Sequence, residues 1–439
     1  MHRNRPLAAL GLLLALAGML WLAAAWLLPS QAQLAQRLAD AAGTQLGVPV
    51  SIGTLRWRLL PTPALTLEDL RTAQPRPLVI HRLTLYPRLD RLLQRRLAFR
   101  LAEVQGAVLP HRSLRELGAT PPPDAAAPSW ALDAVPLERI VFSGITWRDR
   151  RDLENDYEGE ADFGPGWRPA HALLRRTGAQ PEARLELTRE AGEADGAEHW
   201  QVHIAVGGGT GHGRLALRTR AGGGLRLDAQ LEPRAIDLAS ALAAFKRRSA
   251  VEGRVSGHTV LWAEAPTLAG LGGALHTRTR FEMGPATVLR FDLQKAIRSF
   301  GKEHDGQTPL ETLQGQLDTQ NTPEGMVATY TGVKARSGAF TASGEATLLN
   351  RRIEARAAVD LVDGLVGVPV QVAGTLDALQ VSVPRGALIG AAIGTLLLPG
   401  IGTAIGARLG GGAGGIAAPG PARGSAPQAA ARPPASRPR

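Results

Sequence analysis

Arg214-Leu215-Ala216-Leu217-Arg218-Thr219-Arg220 and Leu225-Arg226-Leu227-Asp228-Ala229-Gln230-Leu231 are separated by Ala221 and three glycines, residues 222–224. Leu215, Leu217 and Thr219 alternate with arginines; Leu225, Leu227, Ala229 and Leu231 alternate with Arg226, Asp228 and Gln230. A period of two is the period of a strand, because successive side chains leave opposite faces of the backbone. The pair therefore predicts two antiparallel strands turning at the glycines, each with one apolar and one wetted face. Leu215, Leu217, Leu225, Leu227 and Leu231 are the candidate residues of that apolar face.

The same period runs outward in both directions. Upstream it predicts strands over 51–57, 64–70, 78–86 and 97–109. Downstream it predicts strands near 251–263, 275–291, 311–320, 326–333, 339–348, 352–361, 369–376 and 379–383. The glycine-rich stretch 207–213 reads as a further turn. Helical signals are few: 33–47, 87–96, 234–246 and 292–300. The expected fold is mostly β with few helices, an elongated antiparallel sheet forming a groove or a sandwich. So few helices cannot cover a long sheet, so its apolar face must meet another sheet, close on itself or line a groove.

Leu7 and Leu28 bound a run of 22 residues without a charge. At 1.5 Å per residue this makes about 33 Å of helix, enough for the hydrocarbon core of a bilayer. Arg3 and Arg5 precede it and Trp21 and Trp26 lie near its far end. Basic residues stay on the cytoplasmic side and indoles favour the interface, so the expectation is a retained N-terminal transmembrane helix with everything after Pro29 exported. A secretory signal core runs about 7–15 residues and is shorter.

The chain has 439 residues, with 50 Lys and Arg against 39 Asp and Glu, a net +11, and no cysteine. The absence of cysteine excludes disulfides, thiol catalysis and iron–sulfur clusters. Residues 1–29 carry +2 and residues 408–439 carry +5, leaving +4 for the body. That is not the dense basic face of a nucleic-acid binder. Residues 71–112 concentrate nine arginines against Asp90 and Glu103, a surface suited either to lipid phosphates or to plain solvation.

Residues 118–129 are rich in Pro and Ala and read as a linker. The expected domains are an anchor (1–29), an N-terminal β region (30–117), the linker, a β-rich body (130–384), an apolar hairpin (385–410) and a basic tail (411–439). The hairpin segment carries Gly386, Gly390 and Gly394, then Gly402 and Gly406, on either side of Pro399-Gly400. Small residues four apart let helices approach closely in a membrane, and the central Pro-Gly favours a turn.

Chemistry-bearing patterns are weak. Residues 207–213 lack the Lys-Ser/Thr and the following helix of a phosphate loop. His199 and His203 lie four apart, a helical metal spacing, but their segment alternates as a strand with Trp200, Val202 and Ile204 inward. Ser299-Phe300-Gly301-Lys302 matches a catalytic Ser-x-x-Lys without its companion motifs. Glu154, Asp156, Glu158 and Glu160 alternate on one face and read as a solvated sheet edge. The expectation is no enzyme activity, no catalytic or metal site and no cofactor.

An N-terminal anchor and a helix lead into Val48-Pro49-Val50-Ser51-Ile52-Gly53-Thr54-Leu55-Arg56-Trp57-Arg58-Leu59-Leu60-Pro61. Towards the C-terminus come Phe291-Asp292-Leu293, then Thr308-Pro309-Leu310-Glu311-Thr312-Leu313-Gln314-Gly315. Ser337-Gly338-Ala339-Phe340-Thr341-Ala342-Ser343-Gly344-Glu345 and Val368-Pro369-Val370-Gln371-Val372-Ala373-Gly374-Thr375-Leu376 follow. In this order the segments resemble the AsmA (AsmA/TamB-like) family of bacterial envelope proteins. The resemblance implies a single-pass inner-membrane protein with a periplasmic β-rich body, a role in outer-membrane biogenesis, and phospholipid or another membrane lipid as partner. The alternative it leaves open is an anchored scaffold that modulates outer-membrane protein assembly through an envelope protein partner.

Overall fold

The computed structural model describes residues 30–116, 131–165, 168–192, 196–322, 324–362 and 367–383. All belong to the first of two units into which the chain divides, residues 1–389. Leu7 and Leu28, the linker, Gly386, Gly390, Gly394, Gly402 and Gly406, and the basic tail lie outside the described residues. No helix among the described residues is long and apolar enough to cross a membrane.

Helix α1 (Gln31–Leu46) opens on a capping box. The Ser30 hydroxyl accepts from the Gln33 amide at 3.2 Å, and the Gln33 side chain accepts from the Ser30 amide at 3.3 Å. It starts two residues before the expected Gln33 because Ser30 supplies the cap. Gly47 ends it in the left-handed region at φ 72°, which only glycine adopts cheaply.

All the described strands join one sheet, in which strands pair with their neighbours in the chain at all but two places. β1 (Val50–Arg58), β2 (Ala64–Thr72) and β3 (Val79–Pro87) form an antiparallel meander. The short α2 (Leu89–Leu92) leads to β4 (Arg96–Pro110), and α3 (His111–Arg115) follows it. β4 and β5 (Ala131–Arg148) pair in parallel, Arg96 beside Ala131 and Pro110 beside Arg148. This parallel pair departs from the all-antiparallel expectation, and the hydrogen-bonded ladder is continuous across the segment read as a linker.

From there the ladder is antiparallel. It runs through β6 (Glu154–Gly164), β7 (Arg168–Arg176), β8 (Arg184–Arg189), β9 (Ala197–Val206), β10 (Gly209–Thr219) and β11 (Leu225–Arg234). β12 (Ile236–Asp237) extends β11 after a break at Ala235, and α4 (Leu238–Ala243) precedes β13 (Val251–Ala265). α5 (Leu268–Leu271) leads to β14 (His276–Leu289), and α6 (Leu293–Arg298) to β15 (Gln307–Leu310) and β16 (Thr312–Thr322). The two exceptions to neighbour pairing fall here: β11 and β12 both pair with β13, and β15 and β16 both pair with β14. β17 (Gly325–Ser337), β18 (Phe340–Leu349), β19 (Arg352–Leu361), β20 (Val368–Thr375) and β21 (Ala378–Ser382) complete it. β1 and β21 are the open edges, so the sheet is not closed.

The helices near residues 90 and 240 are shorter than the sequence periodicity indicates because the ladder claims their flanks. The 87–96 helix contracts to α2 as Arg96 enters β4. The 234–246 helix starts only after Asp237, whose carboxylate accepts from the Ser240 amide at 2.8 Å. Only Gly207 and Gly208, at φ 56° and 67°, form the β9–β10 turn, the geometry of a tight two-residue hairpin; residues 209–213 belong to β10.

The acidic run 154–160 corrects a second expectation. It lies inside the sheet, on β6 between β5 and β7, and not at an edge. Three of its four carboxylates are met by β5: Glu160 pairs with Arg139, Glu154 with Arg148, and Asp156 accepts from Thr146 at 2.7 Å.

The tightest core is C-terminal. Leu293, Ala296 and Ile297 of α6 are buried, and Leu293 and Ile297 pack with Met283, Leu310, Phe340, Val359 and Val368. Thr308, buried beside the helix, donates to the Phe291 carbonyl at 2.6 Å and accepts from the Leu293 amide at 3.0 Å. Its polar group is fully used, as burial requires.

Candidate functional site

Residues directly opposite one another in a ladder share a face. The five leucines picked out by alternation are brought together by this rule. Leu217 faces Leu227, Leu215 faces Ala229, Gly213 faces Leu231, and Thr219 faces Leu225. All five leucines are half-buried. Gly213 is required here: a Cβ would lie 2.0 Å from the Gln230 carbonyl oxygen and 2.6 Å from the Leu231 side chain.

Walking the register outward, the same face stays mainly apolar to both edges, interrupted where Thr259 meets Thr279 at 3.0 Å and Thr277 meets Thr319 at 2.7 Å. Towards β21, Ala229 faces Leu261, Phe281 faces Gly315, Leu317 faces Tyr330, Leu348 faces Ile353 and Val372 faces Val381. Towards β1, Leu215 faces Trp200, Val202 faces Leu187 and Leu185 faces Leu174. Phe142 then lies beside Val104, Val104 beside Leu83, Leu83 beside Leu67 and Leu67 beside Leu55. Phe281 and Tyr330 meet edge to face at 6.3 Å, and burial pushes the Tyr330 phenol above its ordinary value.

The opposite face is charged. Arg82 pairs with Glu68 at 3.1 Å, Arg226 with Asp228 at 2.9 Å and with Glu264 at 3.1 Å, and Arg278 with Asp318 at 2.7 Å. The Glu68 carboxyl is held below its ordinary value, first by the Thr54 hydroxyl and then by Arg56 and Arg82. Exposed pairs of this kind stabilise little. Their consequence is directional: they keep the face that carries them in water.

Polar residues mark the margins of the apolar face. Glu198 stands opposite Leu217 and is neutralised by Arg168 at 3.1 Å and Arg189 at 3.7 Å. At the other margin Arg176 is buried, with its guanidinium 5.9 Å from the Tyr157 ring centre. Its Nη1 donates to the carbonyls of Asp156, at 3.0 Å, and Thr177.

Burial varies along the face: Leu55, Leu67, Ala102, Trp200 and Val202 are buried in its N-terminal half. Over the last strands it is closed by α6, where Ile297 is 1% exposed and Val359 and Val368 are fully buried. Over β10, β11, β16 and β17 the facing residues remain mostly half-buried. A hollow of about 790 Å³, open to solvent, is lined by Glu232, His258, Arg280, Gln314 and Lys334 among others.

Among the described residues no group of three or more histidines and carboxylates is placed to hold a metal ion. His203 projects from the charged face, edge-on to His212 at 5.4 Å, while Trp200 and Val202 are buried. The Ser299 hydroxyl is tied to the Glu303 backbone, donating at 2.8 Å and accepting at 2.9 Å. The aromatic members Phe142, Phe281 and Tyr330 were not singled out by the sequence, although Thr279-Arg280-Phe281-Glu282-Met283 carries the same alternation. Comparison with protein-family models, with curated proteins and with solved structures gives no match.

Proposed function

We propose that this chain is a membrane-anchored periplasmic protein of outer-membrane biogenesis, of AsmA type, that holds or passes phospholipid acyl chains along the apolar face of its sheet. The observation that carries the reading is the continuity of that face from Leu55 on β1 to Val381 on β21, against a charged opposite face. A sheet that packed only for stability would need its apolar side covered throughout, and the leucines of β10 and β11 stay only half-buried outside the core that α6 closes. An acyl chain laid there gains about 0.8 kcal/mol for each methylene removed from water. Nothing in the reading asks for bond-making chemistry.

Mass spectrometry of the full chain extracted in mild detergent tests it. Co-purifying phospholipid is the expected result. Protein that carries no lipid under such extraction overturns the reading and leaves the assembly scaffold in its place. The topology is checked separately: an export-dependent reporter fused after Thr120 is active, and N-terminal sequencing finds the segment before Gln33 retained.

A further inference from the structure

We propose that the rim formed by the β1–β2 turn and the β3–β4 segment is a contact surface for an anionic phospholipid bilayer. Ten large apolar side chains are exposed among the described residues, and five of them lie here: Trp57, Leu59, Leu60, Leu89 and Leu93. Leu60 is 84% and Leu93 89% exposed, the highest values of the ten. The other five are distributed singly from Val260 to Val362.

The register places the two segments side by side. Arg58 faces Ala64 across the β1–β2 turn, Leu65 faces Leu85, and Pro87 faces Phe99. The end of β1 and the end of β3 therefore share one rim. Leu89 and Leu93 are four apart on a helical turn and so project on one side of it.

Arginines flank these leucines. Arg56, Arg58, Arg95 and Arg96 are exposed, and residues 56–63 contain no acid. Arg88 pairs with Asp90 and Glu138, Arg91 and Arg96 with Asp133, and Arg56 with Glu68, so the surplus positive charge of this rim rests on Arg58 and Arg95. Leucine and tryptophan tips set among arginines match the interface of a bilayer with anionic headgroups. A second copy of the chain fits worse, since a two-fold contact would bring like charges together. The uncharged run from Leu7 to Leu28 immediately precedes α1 and β1, so the elements at this rim are the first to follow the expected anchor.

This inference rests on the membrane part of the proposed function and is independent of lipid carriage. The chain has no cysteine, so Leu60→Cys, Leu93→Cys, Val260→Cys and Val362→Cys each give one labelling site. Each full-length variant carries a polarity-sensitive NBD label and is reconstituted in vesicles of phosphatidylethanolamine and phosphatidylglycerol. Labels at 60 and 93 are expected to shift to the blue and to be quenched by spin-labelled lipid roughly threefold more than those at 260 and 362. Vesicle-bound protein whose labels at 60 and 93 report water, as those at 260 and 362 do, overturns the inference. Protein that fails to float with the vesicles overturns it together with the anchored topology. Absence of co-purified lipid with labels 60 and 93 buried removes lipid carriage alone.

Discussion

Arg150 donates from Nη1 to the carbonyl oxygen of Thr322 at 3.1 Å, although 172 residues separate them in the chain. Arg150 sits in the β5–β6 turn and Thr322 at the end of β16, nine strand steps apart along the ladder. Neighbouring strands rotate by roughly 20–25°, so nine steps turn the strand direction by about 180–225°. The accumulated twist brings opposite strand ends to the same side of the sheet. Arg247 adds a second tie, pairing with Asp149 of the same turn at 3.1 Å.

Removing this tie destabilises the sheet between β5 and β16. Arg150 also donates from Nε to His111 Nε2 at 3.1 Å, so its planar fork serves two acceptors. Arg150→Ala is expected to lower stability by about 1–2 kcal/mol and to speed hydrogen exchange in the β16–β17 turn. Arg150→Lys restores no more than part of it, because an ammonium cannot match both directions. Urea unfolding with exchange mass spectrometry measures both effects.

The apolar face separates two outcomes for one double substitution. Leu217→Asp with Leu227→Asp places two carboxylates opposite each other on a half-buried surface. If acyl chains occupy it, the variant folds with native circular dichroism but loses its co-purifying phospholipid, since carboxylates repel hydrocarbon. A variant that unfolds instead marks the face as a closed core and argues for the scaffold reading.

Covered and uncovered stretches differ in their response to truncation. Ile297→Ala empties a site that is 1% exposed beneath α6 and is expected to cost about 2–5 kcal/mol. Leu227→Ala, at a half-buried position, is expected to cost about 1 kcal/mol in lipid-free protein. Equal losses from the two variants would mean that both regions are equally enclosed.

Asp237 predicts a pH dependence. Ser240 above all, and Arg254 at longer range, hold its carboxyl below the ordinary value despite an opposing contribution from burial. A depressed folded-state value stabilises the protein above the unfolded value and is lost as pH falls through the folded one. The wild type should therefore lose this contribution from about pH 4 downward, whereas Asp237→Asn, whose amide oxygen still caps α4, should not. At neutral pH, Asp237→Ala should cost about 1 kcal/mol through loss of the cap. Unfolding midpoints across the acid range give the comparison.

Much of the local structure was legible. Alternation placed Leu215 through Leu231 on two paired strands, because a strand with one wet side must alternate whatever lies across the sheet. Segments with competing demands were harder to read. The 87–96 run has a helical pattern, yet β4 takes Arg96 because ladder hydrogen bonds outweigh weak helix propensity. The acids of β6 resemble an edge because a run of like charge is the same in sequence whether water or Arg139 and Arg148 answers it.

Alternation alone specifies which side chains share a face and that the chain reverses near Gly207 and Gly222, since these depend on residues within a few positions of one another. The parallel pairing of β4 with β5, the meeting of Arg150 with Thr322 and the limits of the cover given by α6 emerge only in the folded chain. So does the exposure of Leu60 and Leu93 on one rim. These depend on twist summed over many strands and on contacts between residues far apart in the chain. A pattern read residue by residue carries neither.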